Sequence, residues 1–208
     1  MVDAVHYIVD TVHQNRRKAR IAMTSRMTPL LEHNEQFART FTPVPLGRPA
    51  AQVILITCLD HRVDPALTLG LRLGDAPVLR NAGGRVTQPV IEEIAYLAFL
   101  GQRLAGGPVD GDKSVEVAVI HHTQCGTGLL ADSGFRREAS EATGADEAAL
   151  EASAVADPHI TVAADVERLL ASPLLPPQMS VSGHVYDVET GHVTTVLDAR
   201  HPQPAGNN

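Results

Sequence analysis

With 208 residues and 44% hydrophobic side chains, the chain can bury one sizeable core but is short for two, so a single domain over residues 1–208 is expected. A formal net charge of −7 without a long Lys or Arg stripe speaks against a general binder of nucleic acid or anionic membrane. No segment is apolar for the length of a membrane span, and Asp3, His6 and Asp10 interrupt the region where a signal peptide needs its apolar core, so a cytoplasmic chain with two reduced cysteines is expected.

Residues 3–40 read as two helices. The first has Val5, Ile8, Val9 and Val12 on one stripe, and the second is entered through Thr28 as cap and Pro29 in the first turn. Arg16, Arg17, Lys18 and Arg20 form the basic cluster of this region and read as a solvated helix face. Short helices cannot bury their stripes alone, so this N-terminal arm (1–45) is expected to pack on a second subunit, making a homodimer or higher homo-oligomer. The Pro-rich stretch from Thr42 to Pro49 cannot hold a helix and reads as an extended connector into a core spanning 50–200.

The run Val53 to Thr57 is apolar and β-branched, as in a strand buried on both faces, and it leads into Cys58, Asp60 and Arg62 at alternate positions. Asp64 and Pro65 then supply a cap and a first-turn proline, so a short helix starts where the strand ends. Val78 and Leu79 form a second short apolar run, which breaks into Arg80-Asn81-Ala82-Gly83-Gly84-Arg85; the paired glycines admit close approach of main chain or ligand. Thr87 to Leu104 is a helix by the spacing of Ile91, Ile94, Ala95 and Ala98, with Glu92 and Glu93 toward its positive end. A polar loop from Gly106 to Ser114 leads to a third apolar run, Val115 to His122, closed by Cys125.

Beyond it, residues 126–143 read as helix in two pieces split near Ser133-Gly134, and 144–157 as loosely packed helix or loop. Val162, Val166, Leu169 and Leu170 mark a further helix, and Met179 to Asp187 and His192 to Leu197 form a hairpin. Residues 201–208 read as a free tail. The order of elements predicts an α/β fold with a mostly parallel central β-sheet flanked by helices, in which ligands sit beyond the carboxyl ends of the strands.

Both cysteines close apolar strands, and His122 precedes Cys125 by three residues. Two thiolates and an imidazole are a borderline-soft set suited to tetrahedral zinc (Zn2+), and three protein ligands leave a fourth position for water or substrate. Strand alternation turns His121 to the opposite face from His122. His61 is expected to point away from Asp60 and Arg62 as an exposed polar residue. Asp60 can accept a hydrogen bond from water at such a site or occupy the fourth position itself, and the two-pronged Arg62 can hold it off the metal.

Cys58-x-Asp60-x-Arg62, Arg80-Asn81-Ala82-Gly83 and His122-x-x-Cys125-Gly126, in this order, resemble the three motifs of the β-class carbonic anhydrases, and the resemblance covers about residues 50–200. It implies Cys58, His122 and Cys125 as zinc ligands and Asp60 and Arg62 as a catalytic dyad. It also implies a parallel sheet whose N-terminal helices embrace a second subunit, and reversible hydration of carbon dioxide to bicarbonate by a metal-bound hydroxide. Gly83 and Gly84 are expected to give the substrate backbone room. The family commonly has a small residue where this chain has His61 and an Asp where it has Gln124. Two other functions fit the same residues: a hydrolase of carbonyl sulfide or carbon disulfide on the same scaffold, and a zinc-binding interaction protein without turnover. A thiol phosphatase does not fit, because its anion loop needs Arg six residues after the cysteine, and position 64 is Asp.

Overall fold

In the computed structural model, which describes residues 25–106 and 114–203, the run Val53–Cys58 is a strand (β1) whose last five residues are buried. It is the second strand of a five-stranded sheet. Its parallel neighbours are Val78–Asn81 (β2) on one side and Glu116–His122 (β3) on the other. Ser180–Tyr186 (β4) runs parallel to β3, and Val193–Arg200 (β5) closes the sheet antiparallel to β4, giving the order β2-β1-β3-β4-β5. The predicted hairpin is therefore present, with its second strand longer than expected. The start of the expected tail is tied down: a His201 ring nitrogen lies 3.2 Å from the Met179 carbonyl oxygen.

The chain divides into two units, residues 1–43 and 44–208. In the first, helix α1 spans Thr28–Ala38. Met27 rather than Thr28 stands at its cap position, and the Ser25 hydroxyl accepts the Met27 N–H at 3.2 Å, so Thr28 is not the cap expected from the sequence. The other predicted arm helix and the basic cluster lie outside the described residues.

In the second unit, helix α2 (Pro65–Thr68) follows β1, and the Asp64 carboxylate accepts the Ala66 N–H as expected. Helix α3 (Gln88–Ala105) starts after Thr87, whose side chain makes no capping bond, and ends at Gly106 in the left-handed region. Glu92 and Glu93 lie past its first turn, where the dipole is weak. After β3 come a 3₁₀ segment (Gly126–Ala131) and helix α4 (Ser133–Thr143), split at Asp132, which caps α4. Residues 144–157 hold a defined helix, α5 (Glu147–Ala152), capped by Asp146, and Asp157 caps helix α6 (Pro158–Leu170). Three aspartates accepting first-turn N–H groups account for the starts of these three helices.

The main core lies on one face of the sheet. Ile54 and Ile56 of β1, Val117 and Val119 of β3, and Val181 and Val185 of β4 pack with Val90, Ile91 and Ile94 of α3 and Val162, Val166 and Leu169 of α6. Each such side chain contributes about 1.5–3 kcal/mol by leaving water. The opposite face has a smaller cluster of Leu55, Ala118 and Ile120. This register brings the carboxyl ends of β1, β2 and β3 to one edge, because Cys58 pairs with Asn81 and Thr57 with Ile120.

Candidate metal centre

At that edge Cys58 leaves β1, His122 ends β3, and Cys125 opens the 3₁₀ segment after β3. Their ligand atoms all lie within 4.8 Å of one another, and all three residues are buried. The two sulfurs are 3.9 Å apart, far beyond a disulfide bond and close to the roughly 3.8 Å that two Zn–S bonds at a tetrahedral angle require. His122 Nδ1 lies 2.9 Å from the Thr123 carbonyl oxygen, which can only accept, so the proton is on Nδ1 and the lone pair on Nε2. That Nε2 is buried and has no hydrogen-bond partner. An orphaned imidazole lone pair beside two thiols fits a metal ligand set.

Both sulfurs lie within hydrogen-bond reach of protein donors. The Asp60 N–H reaches Cys58 Sγ at 3.4 Å, and the Thr127 hydroxyl reaches Cys125 Sγ at 3.2 Å. The bond between the sulfurs and their burial push the Cys58 thiol up, whereas Cys58, His122 and Thr127 together hold Cys125 well below an ordinary thiol. The pair thus favours one proton between two sulfurs. Burial disfavours charge on His122, but the Cys125 sulfur beside it outweighs that, and the net shift is upward.

Asp60 stands beside this trio, with Oδ2 3.9 Å from His122 Nε2. Arg62 holds it through three donors: its backbone N–H and Nε on Oδ1 at 2.8 and 3.0 Å, and Nη2 on Oδ2 at 2.6 Å. The same Nη2 donates to the Gln124 carbonyl at 2.9 Å. The Arg62 guanidinium holds the Asp60 carboxyl well below the usual carboxylate range. His61 is exposed, as expected, yet its Nδ1 lies 3.7 Å from Asp60 Oδ1 rather than away from it.

A match to the carbonic anhydrase family model spans residues 53–193, and the chain is 31% identical over 167 residues to the β-carbonic anhydrase 1 of Mycobacterium tuberculosis, covering 80% of this chain and 94% of that one. The chain belongs to the β-carbonic anhydrase family. The crystal structure of carbonic anhydrase from Streptococcus mutans superposes with a TM-score of 0.69 at 32% identity, over 84% of this chain and 99% of that one. A carbon disulfide hydrolase of Acidithiobacillus thiooxidans is also related, at 31% identity over 65% of this chain and 72% of that one. β-Carbonic anhydrases use zinc, and Cys58, His122 and Cys125 are placed to hold such an ion.

Gly83 and Gly84, both buried with φ of 81° and 67°, are accounted for by protein packing. A Cβ on Gly84 would sit 2.8 Å from the Cys58 nitrogen, and one on Gly83 2.9 Å from the Ser153 carbonyl oxygen. The absence of a side chain lets Gly84 press against the end of the Cys58 strand and Gly83 against Ser153, Val155 and Thr127.

The contacts that several residues make around this β-carbonic anhydrase site were not legible in its sequence. Arg80 donates to the carbonyls of Cys58, Asp60 and Val63 at 3.1, 2.8 and 2.6 Å, clamping the loop that carries the Asp60/Arg62 pair. Gln124 sits at φ 54°, a conformation most non-glycine residues avoid, which presents its carbonyl to Arg62; its side chain bonds Glu189 at 2.6 Å. On the opposite face of β3, His121 reaches Thr161, the Gly84 carbonyl and Asp165. Asp165, fully buried on α6, also takes a two-pronged bond from Arg85 and the Val86 N–H. Arg85 in turn grips the carbonyls of Ala152 and Ala154, next to Val155, which packs on both cysteines. One signal was available: Asp165 interrupts the apolar stripe of Val162, Val166 and Leu169.

Burial would raise the Asp165 pKa, but bonds from His121 and Arg85 outweigh it and lower the value in the fold. The unfolded chain therefore takes this proton first as pH falls, so the carboxylate stabilises the fold above about pH 4 and loses that effect below it. Asp165→Ala, which leaves Arg85 buried without its partner, is expected to cost about 3–5 kcal/mol at pH 7. Urea unfolding of both proteins from pH 7 down to pH 3 checks this, since the gap must narrow as the pH falls.

Proposed function

We propose that this chain catalyses the reversible hydration of carbon dioxide to bicarbonate and a proton, with zinc held by Cys58, His122 and Cys125. The observation that carries this reading is the buried Cys-His-Cys trio with an orphaned Nε2, set 3.9 Å from a carboxylate that Arg62 restrains. When bound, the metal supplies the Lewis acidity that makes water a nucleophile near neutral pH. Two thiolates offset much of its charge, so a nearby acceptor helps. Asp60 supplies one. Oδ1 takes two donors from Arg62 and Oδ2 takes one, which leaves Oδ2, on the His122 side, a lone pair to accept the proton of water at the site and orient it. Arg62, anchored on the Gln124 carbonyl, keeps that carboxylate from moving onto the ligand set. Gly83 and Gly84 serve the substrate indirectly, by fixing the position of the Cys58 strand end.

The kinship with carbon disulfide hydrolases supports a second reading, hydrolysis of a linear sulfur analogue at the same residues. Stopped-flow hydration of carbon dioxide beside hydrogen sulfide release from carbon disulfide and carbonyl sulfide separates the two. Carbon dioxide is expected to be turned over fastest, and a preference for either sulfur compound would replace the first reading with the second.

We take unit 1–43 as an arm and unit 44–208 as the catalytic core of one functional domain. Leu30, Leu31 and Phe37 of α1 are exposed, which supports a homo-oligomer in which such residues meet another copy. Sedimentation velocity at micromolar concentration is expected to show a dimer or larger species, and deletion of residues 1–40 to dissociate or unfold it. A well-folded full-length monomer would contradict this. Among the described residues no helix is long and apolar enough to cross a membrane.

A further inference from the structure

Each hydration of carbon dioxide by water yields one bicarbonate and one proton, and that proton must leave before the next turnover. Near neutral pH an imidazole is the side chain whose ordinary pKa suits it to take a proton and give it up again. His122 is committed to the ligand set, and His121 is fully buried between Gly84, Thr161 and Asp165. His184 bonds Ser182 and Thr195 on the sheet. His61 differs from all three.

Its side chain is 93% exposed, and Nδ1 lies 3.7 Å from Asp60 Oδ1. The other oxygen of the same carboxylate lies 3.9 Å from His122 Nε2. Asp60 therefore has the metal-ligating trio on one side and an imidazole open to solvent on the other. The flanking cation, Arg62, is bound to Asp60 and the Gln124 carbonyl, so the charged group that holds the His61 ring near the site is the Asp60 carboxylate. Arg80 fixes the backbone of this loop through the carbonyls on either side of His61, those of Asp60 and Val63. The ring thus stands on an anchored stretch of backbone, with the Asp60 carboxylate on one side and bulk solvent on the other.

We propose that His61 is the proton-transfer residue of the hydration reaction. Its neutral ring takes the product proton through intervening water on the Asp60 side and becomes imidazolium. It then passes that proton to a buffer base in solvent and returns to the neutral ring, so that no charge accumulates over a cycle. The inference rests on the carbon dioxide reading above.

The test is His61→Ala, assayed as zinc-loaded full-length protein by stopped-flow hydration in weak buffer and again in concentrated buffer. In weak buffer, kcat should fall by about 3–10-fold while kcat/KM stays unchanged, because proton export follows the step that consumes carbon dioxide. Added imidazole should restore kcat, and concentrated buffer should erase the difference. Zinc content should match wild type. Equal kcat in weak buffer overturns the proposal, and so does a loss in kcat and kcat/KM together that imidazole does not rescue, which would mean that His61 acts by positioning Asp60. A wild-type protein that does not hydrate carbon dioxide at all removes the functional reading and this inference with it, an outcome distinct from failure of the variant alone.

Discussion

Cys58→Ser and His122→Ala are each expected to lower zinc from about one ion per chain to under ~0.2, with hydration falling on the order of 10³-fold or more. Both residues are almost fully buried, and each would provide one of three protein bonds to the ion. At Cys58 the change removes a soft ligand whose position is fixed by its strand and by the Asp60 N–H. At His122 it removes the one buried imidazole lone pair with no other partner among the described residues. Metal analysis after gel filtration, with circular dichroism to confirm folding, reads the result. Full zinc retention in both variants would sink the ligand assignment.

Arg62→Ala and Asp60→Ala are expected to keep zinc and lose about 10²–10³-fold in kcat/KM, for different reasons. Without the Arg62 side chain the Asp60 carboxylate loses two of its three donors, keeping only the backbone N–H of residue 62, and is freer to move onto the ligand set. Without Asp60 nothing competes, but the acceptor beside His122 Nε2 is gone. The wild-type rate should rise from weakly acidic toward alkaline pH, because turnover requires water at the site to have lost a proton and carboxylate occupancy of the metal does not; by linkage, higher pH favours the productive form. The Arg62 carboxylate partner stays ionised throughout that range, since its pKa is held down by the guanidinium. Rates of both variants between about pH 6 and 9, with zinc content alongside, test the scheme. An Arg62→Ala enzyme as active as wild type would reduce the Asp60/Arg62 pair to an ordinary structural contact.

The local pattern of the sequence was enough for the strands at Val53 and Val115, the long helix after Thr87, the terminal hairpin and the parallel order of the sheet. Those features depend on the spacing of apolar residues and on Pro, Gly and Asp at element boundaries, all of which act within a few residues. The metal trio was legible for the same reason, since each ligand closes an apolar run and strands in parallel register end at one edge. What only the tertiary structure decided depends on contacts between residues far apart in the chain. Thr28 lost its cap position to the turn at Ser25, and a side chain on Gly83 or Gly84 would meet Ser153 or Cys58 backbone. Arg80 reaches back about twenty residues to three carbonyls, and Arg85 meets Asp165 across eighty residues of sequence. A charged side chain gives no sign in sequence of which distant acceptor will compensate its burial, because that partner exists only once the sheet and helices have packed.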